Sequence, residues 1–480
     1  MTFPAISTPG SARGRAVVVG SGPNGLAAAV TLAAHGKKVT LLEAAEDIGG
    51  GVRSAELTEP GLIHDECAAL HPFTARSPFY REHDLARHGL TWLTADAQYA
   101  HPLEGGRGAT AYRSLDRTAI SLGSDARSWR RAFGGVEGSF AAVLDEVLQP
   151  VAHLPRRPLA LARYGARAVL PAALLGRSWQ TDEARGLFAG VAAHAIRPFH
   201  TPLSSAIGLL LGAAAHADGW QVAQGGSGRI AVALAARLRE LGGEIVTGYR
   251  VTSLSDLLPA ETVMLDLMPK QVAKIAGDYL PTRIRRAYEG YRHGPAAFKL
   301  DLAVEDAIPW SYAEASRAGT VHVGGTFEEI AAAEAEIAYG RMPERPFVLV
   351  TQQAIIDPSR AGGGRQPISA YAHVPPGYTG DATEAILSQM ERFAPGVRDR
   401  VVAMTVRSPA VLAAHNSNYV GGDIVGGSNE PRQMLFRPRL TPDPYATGIS
   451  GVYICSAATP PGAGAHGICG YLAAKRALAR

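Results

Sequence analysis

Residues 16–25, with the sequence AVVVGSGPNG, join a strand pattern to a glycine-rich turn. The apolar run 16–19 is rich in valine, which is typical of a strand buried on both faces of a parallel sheet. Gly20, Gly22 and Gly25 follow with the spacing G-x-G-x-x-G, and residues 26–35 continue as a helix rich in alanine and leucine. The stretch therefore predicts a strand, a tight turn and a helix in direct succession.

The residues that follow complete a dinucleotide-binding pattern. Gly36 ends the predicted helix, a second apolar strand covers residues 39–42, and Glu43 stands where an acid could take ribose hydroxyls. Pro23 and Asn24 lie in the glycine turn that leads into the helix, and the free N–H groups and positive dipole end at the helix N-terminus suit a pyrophosphate. A glycine turn with a purely structural role is the alternative, but the order of strand, turn, helix, strand and acid favours a dinucleotide site.

Composition excludes several other classes of protein. The chain has 480 residues, 46% of them hydrophobic and only 19% charged, with a formal net charge of +4. These values fit a packed enzyme of two or three domains and do not indicate a nucleic-acid partner.

The three cysteines lack metal or dithiol spacing, so no metal site is expected. Residues 1–15 form a loose lead-in without a secretory signal, and the longest apolar stretch, 206–215, is too short to span a bilayer. A cytoplasmic protein, peripheral to a membrane at most, is expected.

The rest of the sequence divides into segments with different predicted secondary structure. Residues 90–216 lack strand–helix alternation and predict a mostly helical cap, whereas residues 297–439 mix strands and helices. The predicted helices are 140–148, 159–175, 230–241, 326–338, 382–393 and 464–478. The predicted later strands are 244–247, 262–268, 347–351, 369–373 and 451–455.

The residues after Glu43 extend the pattern. Gly49, Gly50 and Gly51 form a second glycine stretch, and Arg53 follows it. Here the sequence resembles the FAD superfamily of flavin amine oxidases, phytoene desaturases and GDP dissociation inhibitors, and it most resembles the bacterial phytoene-dehydrogenase-like oxidoreductases. The resemblance implies FAD as the cofactor and Val251 as the residue whose backbone meets the adenine. A solvated loop arginine is the alternative interpretation of Arg53.

The resemblance also covers the last forty residues and implies the fold. The family's final motif matches Ala457, Ala458, Thr459, Gly462, Gly464 and Gly467. The implied α/β fold has a Rossmann-like FAD-binding domain of the glutathione-reductase-like variant, formed by residues 1–90, 217–296 and 440–480. An α+β substrate domain, residues 91–216 and 297–439, interrupts it.

The final motif repeats the spacing G-x-G-x-x-G at residues 462–467, but a second dinucleotide site is not expected. Pro460 and Pro461 interrupt the step from strand to turn, and too few residues follow for another strand and acid. The prediction is instead a helix that begins near Gly464 with its N-terminus directed at the flavin ring, where it would stabilise negative charge on the reduced cofactor.

These observations predict an FAD-dependent dehydrogenase or desaturase that takes hydride from a C–H bond of an apolar small molecule. Oxygen, a quinone or another acceptor would then remove the electrons, since only one dinucleotide unit is complete. A redox-neutral isomerase that uses reduced FAD and a flavin amine oxidase remain alternatives. A non-enzymatic escort protein is disfavoured by Glu43. The sequence does not indicate an oligomeric state.

Three polar residues are candidates for proton transfer. His466 lies inside the predicted flavin-facing turn, and a neutral imidazole suits a base near neutral pH. Asp423 and Asn418 precede the return to the cofactor domain, although both types are common in turns. His71, His194 and His415 are weaker candidates.

Residues 151–180 are basic and contain no acid. Five arginines, namely Arg156, Arg157, Arg163, Arg167 and Arg177, alternate with leucine and alanine there. Such a stretch could rest on anionic lipid and help to deliver an apolar substrate, or it could be a solvated face of the cap.

Overall fold

The protein is described by a computed structural model that covers residues 13–151, 153–257 and 260–479. Most of the predicted lead-in, residues 1–12, lies outside the described residues. The described strands are β1 (Arg15–Val19), β2 (Lys38–Leu42), β3 (Ser54–Glu56), β4 (Ile63–Asp65), β5 (Trp92–Leu93), β6 (Ala97–Pro102), β7 (Gly108–Tyr112), β8 (Val222–Ala223), β9 (Glu244–Val246), β10 (Thr262–Leu265), β11 (Ala296–Glu305), β12 (Thr320–Val323), β13 (Val348–Thr351), β14 (Arg365–Val374), β15 (Val401–Arg407) and β16 (Val452–Ile454).

The strands are connected and covered by helices of 4 to 13 residues. The described helices are α1 (Pro23–Ala34), α2 (Pro78–Glu82), α3 (Leu115–Ser121), α4 (Ala126–Glu137), α5 (Phe140–Val147), α6 (Pro158–Ala168), α7 (Ala172–Leu175), α8 (Asp182–Ala193), α9 (Ala206–Ala217), α10 (Gly228–Glu240), α11 (Pro269–Ala276), α12 (Thr282–Glu289), α13 (Phe327–Ala338), α14 (Gln353–Ile356), α15 (Thr383–Phe393), α16 (Val397–Arg400), α17 (Pro409–His415), α18 (Pro431–Leu435) and α19 (Ile468–Leu478). Within the described ranges, no helix is long and apolar enough to cross a bilayer.

The first sheet is parallel and carries the glycine turn. Its strand order is β16-β10-β1-β2-β9, and every pair in it is parallel. Ala16 and Val18 of β1 face one hydrophobic cluster while Val17 and Val19 face another, so the strand is buried on both faces. The predicted Rossmann-like α/β fold is confirmed by this sheet and by the helices that cover it.

Helices α1 and α19 pack very closely on one face of this sheet. A Cβ atom at Gly470 would lie only 1.8 Å from the Asn24 carbonyl oxygen, so the two backbones touch where α19 crosses the start of α1. The contact brings residues near position 470 onto the glycine turn that follows β1. Two distant parts of the sequence therefore build one site.

The second sheet is mixed and has seven strands in the order β15-β11-β14-β13-β12-β6-β7. Its longest pair is the antiparallel β11 and β14, in register from Ala296 opposite Val374 to Glu305 opposite Arg365. Residues 90–216 are mostly helical, as predicted, but they also contribute β6 and β7, which extend this sheet and were not predicted. All residues of β6 are buried, so β6 lacks the alternation of polar and apolar residues that marks a half-exposed strand.

Helices of the cap cover one face of the mixed sheet. In α8, a Cβ at Gly186 would lie 2.5 Å from the His101 ring and one at Gly190 would lie 2.5 Å from the His322 ring. The two glycines therefore make room for buried imidazoles. The helix predicted over residues 159–175 is wrong as a single element: α6 ends at Ala168 and α7 begins after Pro171. The domain boundaries given above stay a prediction.

Candidate cofactor and active site

A cavity of about 670 Å³ opens at the carboxyl ends of β1, β2 and β10. In open parallel sheets this edge is where ligands bind. The wall combines the first glycine turn with segments from much later in the sequence. Its lining residues include Gly20, Ser21, Gly22, Pro23, Asn24, Glu43, Gly50, Gly51, Arg53, Cys67, Val251, Asp266, Asn418, Tyr419, Ile424, Gly426, Ala457, Ala463, Gly464 and Ala465.

The first glycine turn is held by backbone contacts that side chains would destroy. Gly20 has φ of +99°, and its N–H donates to the Leu42 carbonyl at 2.8 Å. A Cβ atom at Gly25 would lie 2.0 Å from the Gly20 carbonyl oxygen. Glycine at these positions lets the turn close and leaves the start of α1 facing the cavity.

The second glycine stretch lies directly against the first. A Cβ at Gly50 would lie 3.0 Å from the Cα of Gly22, and a Cβ at Gly51 would lie 2.2 Å from the Tyr419 hydroxyl. The Gly49 N–H donates to the Ser21 carbonyl at 3.1 Å. Two backbone segments without side chains thus border the same space, which suits the close approach of a pyrophosphate.

Glu43 is fixed at the mouth of this space. Its Oε2 accepts hydrogen bonds from the Ser21 N–H at 2.8 Å and the Ser21 hydroxyl at 2.6 Å, and Oε1 accepts from the Ala45 N–H at 2.9 Å. These bonds hold the carboxylate of a nearly buried residue in one orientation. Each oxygen has further acceptor capacity for a hydroxyl of a ligand.

Arg53 and Val251 flank Glu43. The Arg53 guanidinium donates to the Asp47 carbonyl at 2.6 Å and lies 3.8 Å from the Glu43 carboxylate. Its side chain is mostly buried, so it is not a solvated loop arginine. The Tyr249 N–H donates to the Glu43 carbonyl at 2.8 Å, which brings Val251 to the cavity wall.

Asp266 is a cavity residue that the sequence analysis missed. It follows β10, and its Oδ2 accepts a hydrogen bond from the Gly25 N–H at 2.9 Å. A Cβ at Gly22 would lie 2.7 Å from the same oxygen. Burial, opposed by the Gly25 hydrogen bond and reinforced by the nearby Glu43 charge, raises the pKa of Asp266 to about 7. The position after a buried strand adjacent to β1 is the signal that could have identified it.

Asn418 lines the cavity and joins two segments of its wall. Its amide nitrogen donates to the Asp266 carbonyl at 2.9 Å, and its Oδ1 accepts from the Met268 N–H at 3.1 Å. The side chain therefore fixes the position of the segment after β10. Among the three predicted catalytic residues, Asn418 alone is in the cavity wall.

His466 and Asp423 lie behind the wall. The His466 ring accepts a hydrogen bond from the Ile468 N–H at 3.1 Å and bonds the Ala463 backbone, and burial lowers its pKa to about 4. Asp423 is fully buried, and its two oxygens accept from the N–H groups of Val425, Gly426, Gly427 and Gly294. Both side chains hold loops together, and neither reaches the cavity surface.

The final motif contributes its backbone to the cavity in a form that differs from the prediction. Helix α19 begins at Ile468 and not near Gly464, because Gly467 has φ of +68° and ends a run of turns. Ala457, Ala463, Gly464 and Ala465 line the cavity, whereas Ala458, Thr459 and Gly467 lie behind them. The Thr459 hydroxyl donates to the Ser456 carbonyl at 2.8 Å. At the final motif, the cavity therefore faces turns and not the N-terminus of α19.

Opposite the final motif, the wall carries Cys67, Tyr419 and His415. Burial raises the pKa of the Cys67 thiol, and it raises the pKa of the Tyr419 hydroxyl strongly. His415 lies 2.7 Å from the Glu66 carboxylate, which Arg407 also pairs at 3.0 Å. His415, a weaker candidate above, thus has an acidic partner. The described residues contain no group of three or more His, Cys, Asp or Glu side chains suited to a metal.

Comparisons with known proteins agree with this geometry. Residues 18–82 match the model of the NAD(P)-binding Rossmann-like domain. Over 96% of its length, the chain is 24% identical to the rat protein named "Pyridine nucleotide-disulfide oxidoreductase domain-containing protein 2", of which 92% is covered.

Solved structures are similar over nearly the whole chain. An oxidoreductase from Methanosarcina mazei superposes with a TM-score of 0.62 at 15% identity. The superposition covers 97% of this chain and 100% of the Methanosarcina mazei chain. Putrescine oxidase bound to putrescine gives 0.58 at 16% identity and covers 97% and 99%. A CLA-producing fatty acid isomerase from P. acnes gives 0.57 at 15% identity and covers 98% and 99%. The chain therefore has a fold similar to those of an oxidoreductase, an amine-oxidising enzyme and a fatty acid isomerase.

Proposed function

We propose that the protein is an FAD-dependent oxidoreductase that takes hydride from a C–H bond of an apolar small molecule. The observation that carries this proposal is the continuous cavity. Its wall includes Glu43 and Val251, the two glycine segments, and Gly464 and Ala465 of the final motif. An extended cofactor with a ribose at one end and a reactive ring at the other would occupy such a space.

The residues fit FAD in detail. The Glu43 carboxylate would accept from the ribose hydroxyls, and the Val251 backbone would meet the adenine. Backbone N–H groups at the start of α1 would bind the pyrophosphate, with Gly50 and Gly51 close by and Arg53 adding charge. When bound, FAD supplies hydride acceptance at its flavin ring. The chain's own turn at residues 463–465 would then border that ring with backbone dipoles.

The proposal also names the group of oxidoreductases to which the protein would belong and the electron acceptors that it would use. The Gly49–Arg53 stretch and the final motif support a place among the bacterial phytoene-dehydrogenase-like oxidoreductases. Oxygen, a quinone or another acceptor would take the electrons, because one dinucleotide unit is complete. The residues of the final motif that line the cavity, Ala457, Ala463, Gly464 and Ala465, are uncharged and non-polar, which supports an apolar substrate.

A redox-neutral isomerase is the second candidate. The similarity of the fold to a fatty acid isomerase favours it. Such an enzyme would return the hydride to its substrate, so turnover of a candidate substrate in the absence of any electron acceptor would identify it. A flavin amine oxidase has less support, since Tyr453 and Tyr471 near the final motif do not line the cavity.

The test is the cofactor content of the purified protein. Wild type should be yellow, and Glu43→Ala should bind FAD at least about tenfold more weakly, because a buried carboxylate loses its ribose contact. Glu46→Ala is the matched control: this exposed carboxylate lies outside the cavity and should leave FAD affinity unchanged. A colourless wild type that does not bind added FAD would refute the proposal and revive the escort protein. Rapid flavin reduction by NADPH would refute the assigned electron acceptors.

A further inference from the structure

Several large apolar side chains are exposed within one short segment of the cap. Val151, Leu154, Leu159, Val169 and Leu174 have exposed fractions of 53%, 91%, 75%, 53% and 47%. They make up a third of the exposed large hydrophobic residues that the described part of the chain contains, although they span only 24 positions. Such clustering marks an interaction site, whereas isolated exposed leucines need no explanation.

Helix α6 turns an apolar stripe toward solvent. Tyr164 and Ala168 are buried, and the Tyr164 hydroxyl donates to the Ala206 carbonyl at 2.9 Å, which fixes the inner face. Leu159, Ala162 and Ala166 are exposed on the other side. The inner face of α6 is apolar, as in other surface helices, but its outer face also carries apolar side chains beside the exposed Arg163.

Unpaired positive charge surrounds the stripe. Arg156, Arg157, Arg163 and Arg177 are exposed, and within the described ranges neither they nor Arg167 form a salt bridge. By contrast, Arg107, Arg117 and Arg130 elsewhere in the cap each pair with a carboxylate. The basic segment is therefore not neutralised by the protein itself.

The nearest acid is turned inward and shapes this surface. Glu146 is buried, and its Oε1 accepts from the N–H groups of Arg156 and Arg157 at 2.9 and 2.8 Å. Its Oε2 lies 2.7 Å from His153 Nε2. The carboxylate thus holds the backbone of the loop while the two arginine side chains extend to solvent.

We propose that this basic apolar face, formed by the exposed residues of segment 151–177, docks the protein on an anionic lipid surface. Leucine and valine side chains would enter the interface between headgroups and acyl chains, and the arginines would contact lipid phosphates. The inference rests on the proposed function in one respect only: a bilayer is a source of apolar substrate.

Other occupants fit less well. In a symmetric dimer the face would meet its own copy, so five arginines would oppose five arginines with no acid between them. Nucleic acid offers phosphates but no partner for the protruding Leu154 and Leu159. An anionic bilayer supplies both the negative charge and the apolar phase.

The experiment is sedimentation of the full-length, FAD-loaded protein with vesicles at low and high salt. Phosphatidylcholine vesicles that contain about one quarter phosphatidylglycerol should bind the protein at low salt, and pure phosphatidylcholine should bind it much less. The paired variants Leu154→Ser/Leu159→Ser and Arg156→Gln/Arg163→Gln should each reduce partitioning by at least about tenfold. Leu440→Ser/Arg283→Gln, at exposed positions elsewhere, should sediment like wild type.

Three results would overturn the proposal. The first is wild-type protein that remains in the supernatant with anionic vesicles at low salt. The second is sedimentation of the paired leucine and paired arginine variants to the same extent as the control variant. The third is dissociation of a dimer by these paired variants without any change in vesicle binding. FAD content is measured on the same samples. A yellow, FAD-containing protein that does not bind the vesicles refutes the docking surface alone. A colourless protein that binds the vesicles refutes the proposed function alone.

Discussion

Replacing Gly25 by alanine should damage both the fold and cofactor binding. The residue has no positive φ, so the backbone conformation itself tolerates alanine. The new Cβ, however, would lie 2.0 Å from the Gly20 carbonyl oxygen and 3.0 Å from Asp266 Oδ2. The first contact involves backbone on both sides, so the glycine turn or the start of α1 must move by about 1 Å.

The magnitude follows from two effects. Overpacking of this kind costs about 1–3 kcal/mol. A buried hydrogen bond from an N–H to a carboxylate, here Gly25 to Asp266, contributes about 1.5–3 kcal/mol. We expect the free energy of unfolding to fall by about 2.5–6 kcal/mol. The FAD affinity should fall by at least about tenfold for each pyrophosphate contact that is displaced.

The assay compares two glycine-to-alanine variants by thermal denaturation and by FAD titration. Gly165→Ala is the control, since this α6 glycine has no heavy atom within 4 Å of its added Cβ. It should gain about 0.5–1 kcal/mol of stability and bind FAD normally. A Gly25→Ala protein with wild-type stability and full FAD content would refute the geometric reasoning.

Other perturbations address the cavity wall. Because folding raises the pKa of Asp266 from 3.8 to about 7, its ionisation should destabilise wild type progressively between about pH 4 and pH 7, by up to about 4 kcal/mol. Asp266→Asn should abolish this loss in pH-dependent denaturation; identical pH profiles would contradict it. His466→Ala should lose about 1 kcal/mol of stability yet keep near-normal flavin reduction in stopped flow; a decrease of about 10²–10⁴-fold would restore His466 as a base. Asn418→Ala should weaken FAD binding by displacing the segment after β10, and unchanged FAD affinity would count against that role.

Local features were predictable from the sequence. The strand 15–19, the turn and helix α1 are specified by neighbouring residues, because valine, glycine and alanine each suit their position there. Long-range features were not. Asp266 meets Gly25 across 241 positions, and the Ser77 hydroxyl donates to the His466 carbonyl across 389. Such contacts decide whether a polar side chain faces the cavity or the interior.

Two expectations drawn from the local sequence differ from the structure. Strand β6 is buried throughout and does not show the alternation of a half-exposed strand, so it was not predicted within the mostly helical cap. Near the final motif, glycine and alanine are compatible with either turn or helix. The packing of Gly467 beside Ala27 and Phe79 determines that α19 starts later than predicted.

The packing of α19 on α1 has a consequence for synthesis of the protein. Strand β10 pairs with β1 on one side and with β16 on the other, and α19 follows β16. After β10 has been translated and before β16 and α19 have been, one edge of β10 and one side of α1 have no partner. FAD retention would therefore report that translation has passed α19, and a prematurely terminated product should remain colourless and depend on chaperones.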